Sequence, residues 1–92
     1  MIRSFKHKGL KKLFQASDRG GIRPDQAERI EDILSMMNVA EKLNDLALPS
    51  LKLRPLKGEL KGLHAVTVRA NWRIVFRFED GDCFDVDLVD YH

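Results

Sequence analysis

The chain has 92 residues, of which 43% are hydrophobic and 33% are charged, and its net charge is +2. This composition is typical of a globular protein, and the length predicts one domain, residues 1–92, since a second could not bury a core of its own. The sequence has neither an apolar run of about 18 residues nor the apolar segment of a signal peptide, so we expect no membrane partner. A single cysteine, Cys83, is typical of a packed side chain in a reducing cytosol, which predicts a cytoplasmic protein.

The net charge conceals four blocks of alternating sign. Residues 1–24 carry +6, residues 25–48 carry −4, residues 49–77 carry +6 and residues 78–92 carry −6. Two basic blocks in a small domain can converge into one positive surface, which is typical of a protein that binds a polyphosphate. Alternatively, basic and acidic blocks can pair with each other as a salt-bridged surface. The charge pattern alone leaves both arrangements open.

The first elements along the chain are predicted to be a short edge strand and a helix. Residues 2–5 fit the strand. Leu10, Leu13 and Phe14 follow the spacing i, i+3, i+4 of a short amphipathic helix. Residues 18–23 contain two adjacent glycines and read as a loop.

A longer helix is predicted to begin at Pro24, which suits the first helical position. Its apolar stripe consists of Ala27, Ile30, Ile33, Leu34 and Met37. Asn38 and Glu41 have the spacing of a second capping box, which predicts a kink or a short further helix to about Leu46.

From Ser50 onward the apolar residues recur at every second position, which predicts strands. The first is expected over residues 51–54, before Pro55, and the second around Val66 and Val68. In the third, one face consists of Trp72, Ile74, Phe76 and Phe78. The other face consists of Arg73, Val75 and Arg77.

Asp80-Gly81 is a strong hairpin signal between the third strand and the last one. In the last strand Phe84, Val86 and Leu88 are expected to alternate with Asp85 and Asp87. The pattern as a whole predicts an α+β fold, in which N-terminal helices cover the aromatic face of an antiparallel sheet of about four strands.

The last strand leads into three residues that can transfer protons or contact a base, namely Asp90, Tyr91 and His92. Three cations upstream can hold an anion: Arg54, Lys57 and Arg73. On one concave surface, these groups could cleave RNA without a metal. A base would take the 2′-hydroxyl proton, cations would stabilise the phosphorane, and an acid would protonate the departing 5′ oxygen.

Each of these assignments has a plainer structural alternative. Chain termini often fray. Arg73 and Arg77 could simply pair with Asp85 or Asp87 across the hairpin. The other two histidines fit surface or packing positions better than a site, and no His/Cys spacing matches a metal centre, so no metal or other cofactor is expected.

Four segments of the chain resemble the HigB toxins of the RelE superfamily. They are Phe5–Leu10, Lys52–Gly58, Val68–Ile74 and Asp90–His92. The resemblance spans nearly the whole length with the spacing between segments preserved. It implies a compact RelE-like fold and a ribosome-dependent endoribonuclease that cleaves messenger RNA in the A site of the 70S ribosome, stopping translation.

The same resemblance implies partners and residue roles. The partner would be a HigA-type helix-turn-helix antitoxin, and the complex would bind operator DNA. Lys57 and Arg73 match the family's basic residues near the scissile phosphate. Asp90, Tyr91 and His92 match its C-terminal functional cluster.

Two positions depart from the family pattern. In the family segment L-H-P-L-K-G the histidine is replaced here by Arg54, which cannot act as a general base at neutral pH but can still bind phosphate. Proton transfer would then fall to His92 and Asp90, so we expect a weak toxin. His64 replaces a common aromatic residue. The alternative is a weakly active or inactive homologue that serves as a nucleic-acid-binding co-repressor with its antitoxin.

Overall fold

Two helices pack against one face of a four-stranded antiparallel sheet in the structure, a computed structural model that describes residues 1–91. The helices are α1 (Lys8–Ala16) and α2 (Pro24–Val39). The strands are β1 (Arg54–Pro55), β2 (His64–Arg69), β3 (Trp72–Glu79) and β4 (Asp82–Asp90). Short 3-10 turns occupy Leu43–Leu46 and Gly58–Leu60. The predicted α+β architecture is therefore confirmed.

Both predicted helices are present, and α2 begins at the predicted residue. The Nδ1 atom of His7 caps α1 by accepting a hydrogen bond from the Leu10 N–H (3.1 Å), which gives His7 a structural role. α2 begins at Pro24, and every member of its predicted apolar stripe is buried. Each of its Ile, Leu and Met side chains contributes about 1.5–3 kcal/mol when fully removed from water, so the stripe anchors α2 to the sheet.

The predicted capping box after α2 is wrong. Asn38 lies inside α2, and its side chain accepts a hydrogen bond from the Ile2 N–H (3.1 Å). The cap of the following 3-10 turn comes from Asp45, whose carboxylate accepts the N–H groups of Glu41 and Lys42 (3.0 Å each). These backbone hydrogen bonds, that of Lys42 first, lower the pKa of Asp45.

The strands lie in the order β1-β2-β3-β4, and each pair is antiparallel. The N-terminal segment adds parallel bridges from Ile2 to Cys83 and from Phe5 to Val86 at the β4 edge, so the expected edge strand is reduced to two isolated bridges. The strand expected at residues 51–54 is also shorter, because Leu51 is buried in a turn and pairing begins only at Arg54.

A β-bulge shifts the faces of β4. Asp85 has a positive φ of 54°, and the register moves between Val75 and Arg77 of β3. Cys83 and Val86 are consequently buried in the core, whereas Phe84 pairs with Arg77 on the opposite face. The prediction that Phe84 shares a face with Val86 is wrong, because a bulge breaks the period of two.

The end of the sheet nearest the β2–β3 turn is tied to α2 by Arg29. Its guanidinium donates to the carbonyl oxygens of Ser50 (2.8 Å), Thr67 (3.4 Å) and Val68 (3.4 Å). A charged donor that bridges a helix, a strand end and a loop restricts their relative motion.

Within residues 1–91, none of the helices has the length and apolar character needed to cross a lipid bilayer.

Candidate functional site

The face of the sheet that the helices leave uncovered carries the predicted cations of β1 and β3. Arg54 pairs with Ala65, which pairs in turn with Val75 of β3. Arg73 lies two residues before Val75 and pairs with Thr67. Since adjacent strands are about 4.8 Å apart, the backbones of β1 and β3 are separated by about 10 Å. Long arginine side chains can converge across that distance.

The Arg54 side chain is exposed, as is that of Lys57, which immediately precedes the 3-10 turn Gly58–Leu60. The two residues line an open depression of about 490 Å³ together with Pro55 and Leu56. Neither forms an ion pair with any other residue among 1–91. Their charges are thus available to an external anion.

Arg73 is half-buried, and its guanidinium is fixed at the β2–β3 turn. Nη1 donates to the carbonyl oxygens of Ala70 and of Trp72 (3.1 Å). An arginine has five N–H donors, so those on Nε and Nη2 remain for a ligand. The turn therefore holds Arg73 in position while leaving part of its guanidinium group unused.

Arg77, on the same strand, is engaged differently. It pairs with Glu79 (2.7 Å) and Asp85 (3.6 Å), and its guanidinium carbon lies 4.5 Å from the centre of the Phe84 ring. The hydrogen bond to Glu79 is the main cause that raises the pKa of Arg77. The cross-strand pairing considered for both arginines is thus confirmed for Arg77, whereas Arg73 forms no ion pair within residues 1–91.

Tyr91 lies just after β4 and is anchored by its backbone N–H, which donates to the carbonyl of Asn71 (2.8 Å). Its hydroxyl is buried and has no hydrogen-bond partner among residues 1–91. The ring closes one side of a groove of about 560 Å³ on the uncovered face. That groove is lined by Lys6, Leu60, Leu63, Val75, Asp85, Asp87, Val89 and Tyr91.

Asp90 does not share this face. It pairs with Trp72, and both Trp72 and Leu88 pack against the core beneath the helices. Because side chains alternate along a strand, Asp90 lies on the helix side and Tyr91 on the other. The expectation of one surface for all the candidates is therefore wrong for Asp90, which lies at the end of the sheet. His92 lies outside the described residues.

Apart from Tyr91, the sequence reasoning missed the residues that line the groove. The available signal was the period of two, which places Asp87 and Val89 of β4 on the same face as Tyr91. The contributions of Lys6 and Leu63 depend on chain segments distant in sequence, so no local pattern indicated them. His64, for which the sequence reasoning expected a surface or packing position, lies beside Phe76 with 6.3 Å between ring centres. Within residues 1–91, no group of three or more His, Cys, Asp or Glu side chains is placed to hold a metal ion.

The charge blocks partly pair with each other, and the basic block of residues 49–77 also keeps several cations without an ion pair to any residue among 1–91. Some blocks pair with each other, as in Arg3 with Asp82 (3.1 Å) and Arg69 with Asp25 (3.3 Å). Four cations around β1 form no ion pair with another residue of the described chain: Lys52, Arg54, Lys57 and Lys61. The positive charge left for a partner is therefore concentrated at the β1 edge, beside the groove.

Comparisons with known proteins reveal similarities in sequence and in fold. Residues 3–92 match the profile of the RelE-like toxin of type II toxin–antitoxin system HigB. The chain is 45% identical over 92 residues to Endoribonuclease HigB of Proteus vulgaris, with all of both chains covered. Its fold is similar to that of a YafQ mutant from E. coli (TM-score 0.64, 18% identity, 98% of this chain and 91% of that chain covered). It is also similar to the YoeB-YefM complex from Staphylococcus aureus (TM-score 0.60, 16% identity, 100% and 95% covered).

Proposed function

Because the chain belongs to the HigB-like family of RelE-like toxins of type II toxin–antitoxin systems, we propose that it is an endoribonuclease that cleaves messenger RNA in the ribosomal A site. The supporting observation is the arrangement on the uncovered sheet face. Cations that form no ion pair with any residue among 1–91 adjoin a groove large enough for a nucleotide, and a tyrosine lines this groove. A protein of this activity would act in the cytoplasm, where ribosomes are.

In this mechanism the cations act on the scissile phosphate. Arg73 donates its remaining N–H groups to the phosphate oxygens, and Lys57 and Arg54 add charge from the β1 edge. The phosphorane carries more negative charge than the ground state, so fixed cations stabilise the transition state preferentially. The anchoring of Arg73 by the turn carbonyls lowers the reorganisation needed at the moment of reaction.

Proton transfer is assigned to the carboxyl-terminal residues. His92 has the side chain whose pKa suits a general acid or base near neutrality. Asp90 lies at the end of the sheet on the helix side, so its role is to orient His92. Tyr91 binds the sugar or the base in the groove. Arg54 binds phosphate where the family commonly has histidine, so the proton steps depend on fewer groups and cleavage is slower.

An antitoxin partner follows from membership of a type II toxin–antitoxin family. We propose that it is a HigA-type protein with a helix-turn-helix domain and that the complex binds operator DNA. The ribosome supplies the orientation of the transcript, and free RNA is accordingly a poor substrate. A neighbouring reading frame with a helix-turn-helix domain would support this assignment.

The test is expression without antitoxin, followed by primer extension on ribosome-associated transcripts. Wild type should give discrete cuts in the A site, and both Arg73→Ala and His92→Ala should lose them. Arg77→Ala is the matched control, because Arg77 is another arginine of β3 but is engaged by Glu79 and Asp85. Intact transcripts with wild type would refute the enzyme, and intact operator binding in that case would favour the co-repressor.

A further inference from the structure

A third pocket lies on the helix side of the β2–β3 turn. It measures about 190 Å³ and is open to solvent. Its lining consists of Arg23, Asp25, Gln26, Arg69, Ala70 and Trp72. It lies beside the candidate site, because Ala70 accepts a hydrogen bond from Arg73 and Trp72 pairs with Asp90.

Gln26 gives this pocket a polar group that has no hydrogen-bond partner in the described part of the chain. The residue is only 2% exposed, and its Oε1 atom accepts no hydrogen bond from any residue among 1–91. Buried amide oxygens are nearly always hydrogen-bonded in folded proteins. A ligand with an N–H donor would satisfy this one.

Two arginines give the pocket its positive charge. Asp25 bridges them, with one oxygen 3.2 Å from Arg23 Nε and the other 3.3 Å from Arg69 Nη1. A single carboxylate offsets one of the two charges. The Arg23 and Arg69 side chains remain 61% and 65% exposed, so their other N–H groups can bind a phosphate.

Arg23 and Arg69 come from the two separate basic blocks of the sequence, residues 1–24 and 49–77. Folding brings these blocks together here. Trp72 supplies a half-buried aromatic surface in the same pocket, and bases stack readily on such side chains.

We propose that this pocket is a second RNA subsite, which holds one nucleotide next to the one that is cleaved. Arg23 and Arg69 bind its phosphate, Trp72 contacts its base, and an exocyclic amino group donates to Gln26 Oε1. The assignment rests on the proposed function. It implies a preference for adenine over hypoxanthine and for cytosine over uracil, because hypoxanthine and uracil place a carbonyl oxygen, which is an acceptor, where the exocyclic amino group would donate to Gln26 Oε1.

The first test uses Trp72, the sole tryptophan of the chain, as a fluorescent reporter on the full-length toxin. Titration with adenosine 5′-monophosphate should give a saturable change, and inosine 5′-monophosphate should bind about tenfold more weakly. Gln26→Met should abolish that difference. Arg69→Gln, at an exposed position that tolerates substitution, should weaken both nucleotides about tenfold.

Arg19→Gln is the matched control, since it removes another exposed, ion-paired arginine, that of the Arg19–Glu31 pair. It should leave both titrations unchanged. Equal binding of the two nucleotides to wild type, or no saturable signal, would overturn the proposal. So would an equal loss of affinity in Arg19→Gln and Arg69→Gln.

The nucleotide has two possible sources, and further measurements separate them. If it belongs to the messenger, inosine in place of the adenosine beside the cut should slow cleavage by wild type about tenfold but not by Gln26→Met. If it belongs to ribosomal RNA, Arg69→Gln should bind about tenfold more weakly to ribosomes without messenger. Absence of both effects would overturn the RNA assignment. Failure of wild type to cut any transcript would instead refute the proposed nuclease and leave the nucleotide titrations interpretable.

Discussion

Replacing Arg73 tests whether this positioned cation stabilises the transition state of the proposed cleavage. In Arg73→Gln the charge is lost, and removal of one preorganised group that stabilises transition-state charge typically lowers the rate about 100- to 1000-fold. Arg73→Lys keeps the charge but has only one nitrogen. That nitrogen cannot reach both the turn carbonyls and a phosphate, so we expect an intermediate loss of about 10- to 100-fold.

The structural cost of the substitution is separable from the chemical one. Arg73 makes hydrogen bonds to the carbonyls of Ala70 and Trp72, and their loss at a half-buried position costs about 1–2 kcal/mol of unfolding free energy. In a chain of this size each kcal/mol lowers the Tm by about 4–8 °C. A protein with ordinary stability stays folded at 37 °C after such a loss.

The assay is primer extension during cell-free translation, with thermal denaturation of each variant measured in parallel. Arg77→Gln should cleave like wild type, since Arg77 is held by Glu79 and Asp85 within the protein. Arg73→Gln that retains a third or more of wild-type cleavage would refute the assigned role. An equal loss of cleavage in Arg77→Gln would mean that the effect comes from a disturbance of the sheet and not from the loss of a phosphate contact.

Three further predictions concern the fold. Gly21→Ala should lower the unfolding free energy by about 1–3 kcal/mol in a denaturant titration, because the new Cβ would lie 2.8 Å from the Gly9 Cα. Gly20→Ala, whose Cβ would meet only the Asp18 side chain, should lower the unfolding free energy less in the same titration. Burial raises the pKa of Cys83 to about 11, so a thiol reagent at pH 8 should label the protein only after unfolding, and rapid native labelling would contradict the packing. Folding lowers the pKa of Asp45 from its ordinary value of 3.8, so the ionised carboxylate stabilises the fold above pH 3.8. This contribution is lost as the pH falls through the folded-state pKa. Asp45→Ala should therefore have a lower Tm than wild type at pH 7, and the two Tm values should converge near pH 2.

Much of the secondary structure could be read from local periodicity. The stripe of α2 and the two faces of β3 agree with the structure residue by residue. These patterns are informative because a helix or strand that covers a core must repeat its apolar residues at its own period. The family resemblance added the activity, which no periodicity indicates.

Electrostatic partners were less predictable. Arg73 and Arg77 are two residues apart on one strand and look equivalent in the sequence. The bulge at Asp85 brings a carboxylate to Arg77, whereas the β2–β3 turn presents carbonyl oxygens to Arg73. Among residues 1–91, Arg73 is thereby left without a carboxylate partner, whereas Arg77 has two.

The amino-acid order alone determined which residues are buried in α2 and β3, that the sheet is antiparallel, and which chemical groups are present for RNA cleavage. Tertiary structure decided which of those groups meet: Asp90 lies behind the sheet from Tyr91, and Arg23 joins Arg69 across some 45 residues of chain. Burial pattern is a local property, because each element repeats its own period. Proximity between distant residues depends on strand register and on bulges, and these follow from how the whole core packs.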